Sequence, residues 1–130
     1  QEILRFSRRT ESQINHWAAR YGYKDRGEEI LKEAKHGAND RYACINLTNT
    51  DTIEFRVFRG TLKYNTVIAT LQFVANLCRV AISLPEYRIQ EFSWPALIEA
   101  LTQDNCPELV QYLKERNLYV NEPVTAEREV

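Results

Sequence analysis

Between Arg41 and Phe58 the chain changes its period. "RYACINLT" and "TIEFRVF" alternate apolar with polar residues and are rich in β-branched and aromatic side chains, with "NTD" between them. Strict alternation predicts half-buried strands, and Asn, Thr and Asp supply turn chemistry, so this stretch predicts a β-hairpin. Its simplest register takes Asn49, Thr50 and Asp51 as the loop. Thr48 then faces Thr52, Leu47 faces Ile53, Asn46 faces Glu54, Ile45 faces Phe55, and Cys44 faces Arg56. Because side chains alternate across a strand, one face carries Ile45, Leu47, Ile53, Phe55 and Val57, which reads as a core face. The opposite face carries Asn46, Glu54 and Arg56, with Cys44 beside them. Glu54 and Arg56 fall about 6.5 Å apart along their strand. A slip of one residue would turn both charges into the core, so the apolar face fixes their direction.

Two readings of the polar face are open. Half-exposed antiparallel sheets commonly present such a face to water, and a solvated Glu–Arg pair contributes little. Alternatively, the face is the floor of an active site. Glu54 then offers oxygen to a divalent cation, Arg56 offers a planar fork to phosphate oxygens, and Asn46 orients either group.

The rest of the chain reads as helical. Thr10 with Gln13 is a capping-box signature ahead of a stripe of Ile14, Trp17, Ala18 and Tyr21, with Gly22 as a stop. "GEEILKEAKHG" is a second helix, acidic early and basic late. Asn65 or Thr66 is expected to cap a long helix over "TVIATLQFVANLCRVAISL". Its predicted apolar stripe is Val67, Leu71, Val74, Cys78 and Ala81, widened by Ile68, Ala75 and Ile82. Gln72, Asn76, Arg79 and Ser83 line another face. That helix is expected to cover the Phe55 side of the hairpin. Ser93 with Pro95, and Asn105 with Pro107 and Glu108, open two further helices. A third strand is expected from "RFSRR" at the N-terminus or from "EYRIQ".

Composition narrows the function classes. The 130 residues carry a formal net charge of −1, which leaves no global basic field to gather nucleic acid. Trp17, Trp94 and the tyrosines fall on helical stripes and read as core and rim. No membrane span is expected. Cys44, Cys78 and Cys106 are scattered without CxxC spacing, as in a reducing cytoplasm. His16 and His36 lack the HExxH spacing of a zinc site. The start at Gln1 suggests a fragment.

"RYACINLTNTDTIEFRVFRGTL" resembles the late signature of the amidoligase family, in the carboxylate–amine ligase superfamily of glutamine synthetase and glutamate–cysteine ligase. The likeness continues through "YNTVIATLQFVANLCRVA" and back to "RFSRRTESQINHWAARYG". It implies a curved antiparallel catalytic sheet whose late E-x-R strand supplies a metal-binding carboxylate, here Glu54, and a phosphate- or substrate-binding arginine, here Arg56. It also implies a nucleotide-phosphate role for Arg8 or Arg9, which precede a helix N-terminus. Arg59 joins that set, while the parity of Arg41 and Arg59 points both away from Glu54 unless a bulge re-aims them. Members also carry an early G-x-E-x-E strand and a central His-containing strand motif, and neither occurs in these 130 residues.

The expectation is therefore an α+β fold: an antiparallel hairpin or small sheet covered by about five helices. Residues 1–120 would form the C-terminal part of an amidoligase-like catalytic domain, and residues 121–130 a loose charged tail. The implied function is ATP- and Mg²⁺-dependent joining of a small-molecule or peptide carboxylate to an amine through an acyl phosphate. The fragment by itself is expected to be inactive and to hold no cofactor, with exposed sheet edges favouring self-association. The rival reading is a non-enzymatic protein-interaction module.

Overall fold

The computed structural model describes residues 1–19, 27–36 and 42–120. Arg41, the stops at Gly22 and Gly37, and the tail 121–130 lie outside them. The chain is α+β, with a two-stranded antiparallel sheet and, among the described residues, seven helices. It divides into two compact units, Gln1–Gly60 and Thr61–Val130.

In the first unit, α1 (Glu2–Ser7) replaces the strand expected in "RFSRR". Glu2 lies in the first turn of this helix and Arg5 in its last, matching the backbone dipole, and it buries Phe6. Arg8 terminates it in the left-handed region at φ 63°. The predicted capping box is present: Thr10 accepts from the Gln13 amide, and the Gln13 side chain accepts from the Thr10 amide. It starts α2 (Glu11–Trp17). Ile14 and Ala18 are buried as the stripe predicts. Yet α2 ends at Trp17, because the backbone then turns extended and Ala19 pairs in parallel with Ala43. The Ala19 amide donates to Tyr42 O at 2.8 Å, and the Cys44 amide donates to Ala19 O at 2.9 Å. This one bridge is what the N-terminal segment adds to the sheet. The second predicted helix is α3 (Gly27–His36), which buries Ala34 and packs beside the first strand.

The hairpin has the predicted register. Strand β1 (Ile45–Asn46) pairs with β2 (Glu54–Phe55), Ile45 opposite Phe55 and Asn46 opposite Glu54. The Arg56 amide extends the ladder to Cys44 O at 2.8 Å. The strands are shorter than the alternation predicts, for a local reason. Asn46 Oδ1 accepts from the amide of Thr48 at 2.9 Å and from its hydroxyl at 2.7 Å. That is an Asx turn, and it gives the Thr48 amide a partner other than the ladder. Burial also departs from expectation. The face read as core is only partly covered, with Ile53 57% exposed, whereas Asn46 on the polar face is 4% exposed.

The second unit is built on α4 (Tyr64–Ser83), with α5 (Glu86–Ile89), α6 (Trp94–Leu101) and α7 (Pro107–Glu115). Helix α5 occupies "EYRIQ", so that stretch adds no strand. Ala69, Phe73 and Val80 of α4 are buried, and so are Ile98 and Leu101 of α6 and Leu109, Tyr112 and Leu113 of α7. The predicted stripe is the wrong side of α4: Leu71 is 61% exposed and Ile82 87%. Apolar residues surround this helix, so hydrophobic periodicity alone does not choose a face. The polar side chains choose it. Gln72 Oε1 accepts from the Leu109 amide at 2.9 Å, filling the place of a cap on α7. Gln72 Nε2 and Asn65 Nδ2 both donate to Glu108, to its carboxylate and its backbone carbonyl respectively. Arg79 donates to Ala100 O near the end of α6 at 3.0 Å. Helix ends expose amides and carbonyls that need such partners, and these residues turn their own side of α4 toward α6 and α7.

Two expected caps change accordingly. Lys63, not Asn65 or Thr66, is the N-cap of α4. Cys106, not Asn105, precedes α7, and Glu108 bonds Gln72 instead of closing a capping box. The Ser93 cap of α6 is as predicted. No membrane span was expected, yet by length and composition α4 is long enough and apolar enough to cross one. It also supplies Ala69, Phe73 and Val80 to the core of its unit.

Truncating Phe73 to Ala should cost about 3–5 kcal/mol, because its ring is fully enclosed, while Leu71→Ala two residues earlier should cost about 0.5 kcal/mol. Urea denaturation of both variants checks this, and a larger loss at Leu71 would show that the predicted stripe is the buried one after all.

Cys106 is buried, and desolvation, helped by Asp104 and Glu108, raises its thiol pKa. A group held protonated by folding contributes stability at low pH and loses it as pH rises past the unfolded thiol's range. Wild type should therefore lose stability above that range, and Cys106→Ala should flatten the alkaline slope while being less stable at neutral pH. Denaturation midpoints from pH 7 to 10 decide it.

Candidate active site

The polar face of the hairpin is a connected row. Asn46 Nδ2 donates to Glu54 Oε2 at 3.1 Å. Arg56 Nη1 donates to Glu54 Oε1 at 2.9 Å. One carboxylate oxygen thus takes the amide and the other takes the guanidinium. Asn46 is the buried anchor, with its carbonyl oxygen held by Thr48 and its amide nitrogen spent on Glu54. Exposure peaks in the middle of the row: the Glu54 side chain is 43% exposed and that of Arg56 27%. Partial exposure caps the strength of the ion pair, so its value lies more in position than in energy.

Arg56 is held from a second side. Its Nε donates to Trp17 O at 3.3 Å, and its guanidinium carbon lies 5.7 Å from the centre of the Tyr42 ring. The carbonyl comes from the end of α2, so the turn out of that helix at Ala18 also places this acceptor. Among the described residues, the remaining N–H groups of Arg56 have no further partner.

Arg8 and Arg9 reach the backbone that follows the same strand. Arg9 Nη2 donates to Arg56 O and Phe58 O, each at 3.3 Å. Arg8 Nη2 donates to Arg59 O. The Arg59 amide returns a bond to Ser7 O at 2.9 Å. Ser7 Oγ accepts from the Arg9 amide and donates to Leu4 O, which sets the turn that aims both arginines. Two guanidiniums thus staple the end of α1 to the backbone that follows β2. Arg9 Nε is buried with no hydrogen-bond partner. Burial, then the positive charges of Arg56 and Arg59, pull the Arg9 guanidinium pKa below its ordinary value. The Arg59 side chain is exposed.

Metal-binding chemistry is thinly represented. Among the described residues no three His, Cys, Asp or Glu side chains gather to hold an ion. Glu54 supplies one carboxylate. Mg²⁺ takes oxygen ligands and commonly keeps several waters, so Glu54 alone is at most a partial ligand set and not a metal cage.

The chain matches no family model, no curated protein and no solved structure. The reading of the site therefore rests on its geometry and on the motif.

Trp17, Tyr42 and Ser7 were missing from the predicted set. Tyr42 was within reach of the alternation, since it shares parity with Cys44 and Asn46. Trp17 reads as core by helical spacing, but it is 45% exposed. Nothing in the sequence around Ser7 signals its role in the turn.

Replacing Asn46 by Ala should destabilise the first unit by about 1–3 kcal/mol, because Thr48 and Glu54 each lose a partner. Asn46→Asp should be worse at neutral pH, since a second carboxylate would face Glu54. Its deficit should shrink on acidification, when repulsion between the two carboxyls is relieved. Thermal melts at pH 7 and pH 4 test the order, and an Asp variant that gains nothing from acid would show that Asn46 does not face Glu54.

Proposed function

We propose that this chain is the C-terminal portion of an ATP- and Mg²⁺-dependent amidoligase, contributing one metal-binding carboxylate and one phosphate-holding guanidinium to a larger site. The observation that supports this reading is the row Asn46–Glu54–Arg56. It holds a carboxylate and a guanidinium side by side on a sheet, at the positions that the E-x-R motif reserves for them. The chemistry is amide formation between a carboxylate and an amine through an acyl phosphate. Bound Mg²⁺ would supply charge neutralisation at the transferring phosphate. Glu54 offers it an oxygen, Asn46 keeps that carboxylate turned along the strand, and Arg56 presents donors to a phosphoryl or carboxylate oxygen. Stabilising charge at fixed positions is the main work in such a transfer.

The second reading is an interaction module without catalysis. It is favoured by the uncovered apolar side chains of α4, with Tyr64 75% and Leu71 61% exposed.

A single carboxylate does not complete an Mg²⁺ site, so the 130-residue chain by itself should release no ADP from ATP above background. Activity tests belong to a protein that carries the companion strands. There Glu54→Gln should keep the fold and lower Mg²⁺-dependent turnover by at least about tenfold, since even groups one shell out from a metal commonly count for that much. Arg56→Lys should fail as well, because an ammonium does not reproduce the planar fork. Wild-type rates in both variants would leave the solvated pair as the better account.

A further inference from the structure

An exposed aromatic shelf adjoins Arg56. Trp17 closes α2 and is 45% exposed, and Tyr42 precedes β1 and is 39% exposed. Their rings meet edge to face, with centroids 5.9 Å apart and planes at 67°. His16 stands at 84° to the Trp17 ring, 4.2 Å between centroids. The shelf is tied to a charge. Arg56 places its guanidinium over Tyr42 and bonds the Trp17 carbonyl, which holds the cation beside both rings. Leaving this much aromatic surface in water is unfavourable, and such surface is well suited to cover by another flat group.

The local charge says which kind of group. Arg56 and Arg59 are close enough to Arg9 to disfavour its charged state, and the carboxylate answering Arg56 is Glu54. With Arg56 already over Tyr42, a second cation on the shelf would be repelled. An anion would meet the uncommitted N–H groups of Arg56.

We propose that Trp17, Tyr42 and Arg56 form a subsite for a small anion bearing a planar ring, with the ring on the exposed indole and the oxyanion on the guanidinium. A nucleoside monophosphate and an aromatic carboxylate share that chemistry. The subsite rests on Arg56 being an anion holder, as in the function proposed above, but it requires no metal at Glu54.

The chain labelled with 5-fluorotryptophan gives two ¹⁹F resonances, from Trp17 and Trp94. Trp94, whose indole N–H donates to Leu118 O, serves as the internal reference. Metal-free titrations with AMP, benzoate, adenosine and ribose 5-phosphate separate the contributions of ring and anion. The Trp17 resonance should move saturably with AMP or benzoate. Adenosine and ribose 5-phosphate should each bind about tenfold more weakly than AMP, and Arg56→Gln should reduce AMP to the level of adenosine. Response to AMP alone assigns a nucleotide, and response to benzoate alone an aromatic acid. The subsite is refuted if ribose 5-phosphate moves the Trp17 resonance as strongly as the responding ring-bearing anion does, if Arg56→Gln binds that anion as wild type does, or if Trp17 stays still up to about 10 mM of every probe. Because metal is omitted, failure here leaves the metal role of Glu54 standing, and failure of that role leaves this result untouched.

Discussion

The amide of Asn46 organises the first unit. It is a buried polar group, so each of its unmade hydrogen bonds would cost about 1–3 kcal/mol, and the surrounding chain has to arrange itself to make them. Its oxygen draws in the amide and hydroxyl of Thr48 and thereby ends β1 after two residues. Its nitrogen draws in Glu54 from across the sheet. The turn, the length of the sheet and the direction of the carboxylate follow from one side chain. Glu54 then orients Arg56, and Arg56 reaches the carbonyl that closes α2. A connected path runs from a buried amide to the end of a helix, through two charges that are each only partly covered.

The arginines illustrate how little a charged residue's identity says about its task. Arg8 and Arg9 precede a helix N-terminus, a setting that favours anions. The structure instead spends their donors on backbone carbonyls of residues 56, 58 and 59. Those carbonyls lie beyond the end of the short β2 strand. Guanidinium N–H groups, arranged as a fork, can satisfy several at once. Arg8 and Arg9 therefore sit at this corner as donors to backbone carbonyls, and with Arg56 and Arg59 nearby the positive potential there is in part a by-product of that role. A ligand site can exploit such a potential without having caused it.

Legibility from sequence followed the range of the interactions. The hairpin register was readable, because alternation is a local property and a slip would bury two charges. The capping box at Thr10 and the cap at Ser93 were readable for the same reason: donor and acceptor lie within four residues. Strand length was not. The residue that shortens β1 is also the one that faces Glu54, and only the folded geometry decides whether its oxygen serves a turn or solvent. The buried face of α4 was misread because apolar residues lie all around that helix. The deciding groups were the Leu109 amide and the Ala100 carbonyl, which lie 37 residues beyond Gln72 and 21 beyond Arg79. Trp17 was misread although it lies inside α2: it is the last residue of the helix, and the residue after it, Ala18, takes the buried place while the indole stays at the surface. As for the site, the side chains that share the sheet face could be named in advance, but the aromatic and carbonyl contacts from α2 could not.

The double hold on Arg56 bears on what the row can do. Were the guanidinium held by Glu54 alone, a cation drawn to that carboxylate would compete directly with it, and the arginine would swing away as the cation arrived. Here the bond to Trp17 O and the ring of Tyr42 restrain the guanidinium from the other side. Asn46 likewise restrains Glu54 through the oxygen that Arg56 does not use. Each charge has an anchor that is independent of its partner. A carboxylate and a guanidinium arranged this way can engage opposite charges of one ligand without collapsing onto each other or drifting apart, and the ordering cost falls on folding instead of binding. An ordinary surface ion pair lacks those anchors: its members hold only each other, and whichever finds a better partner leaves.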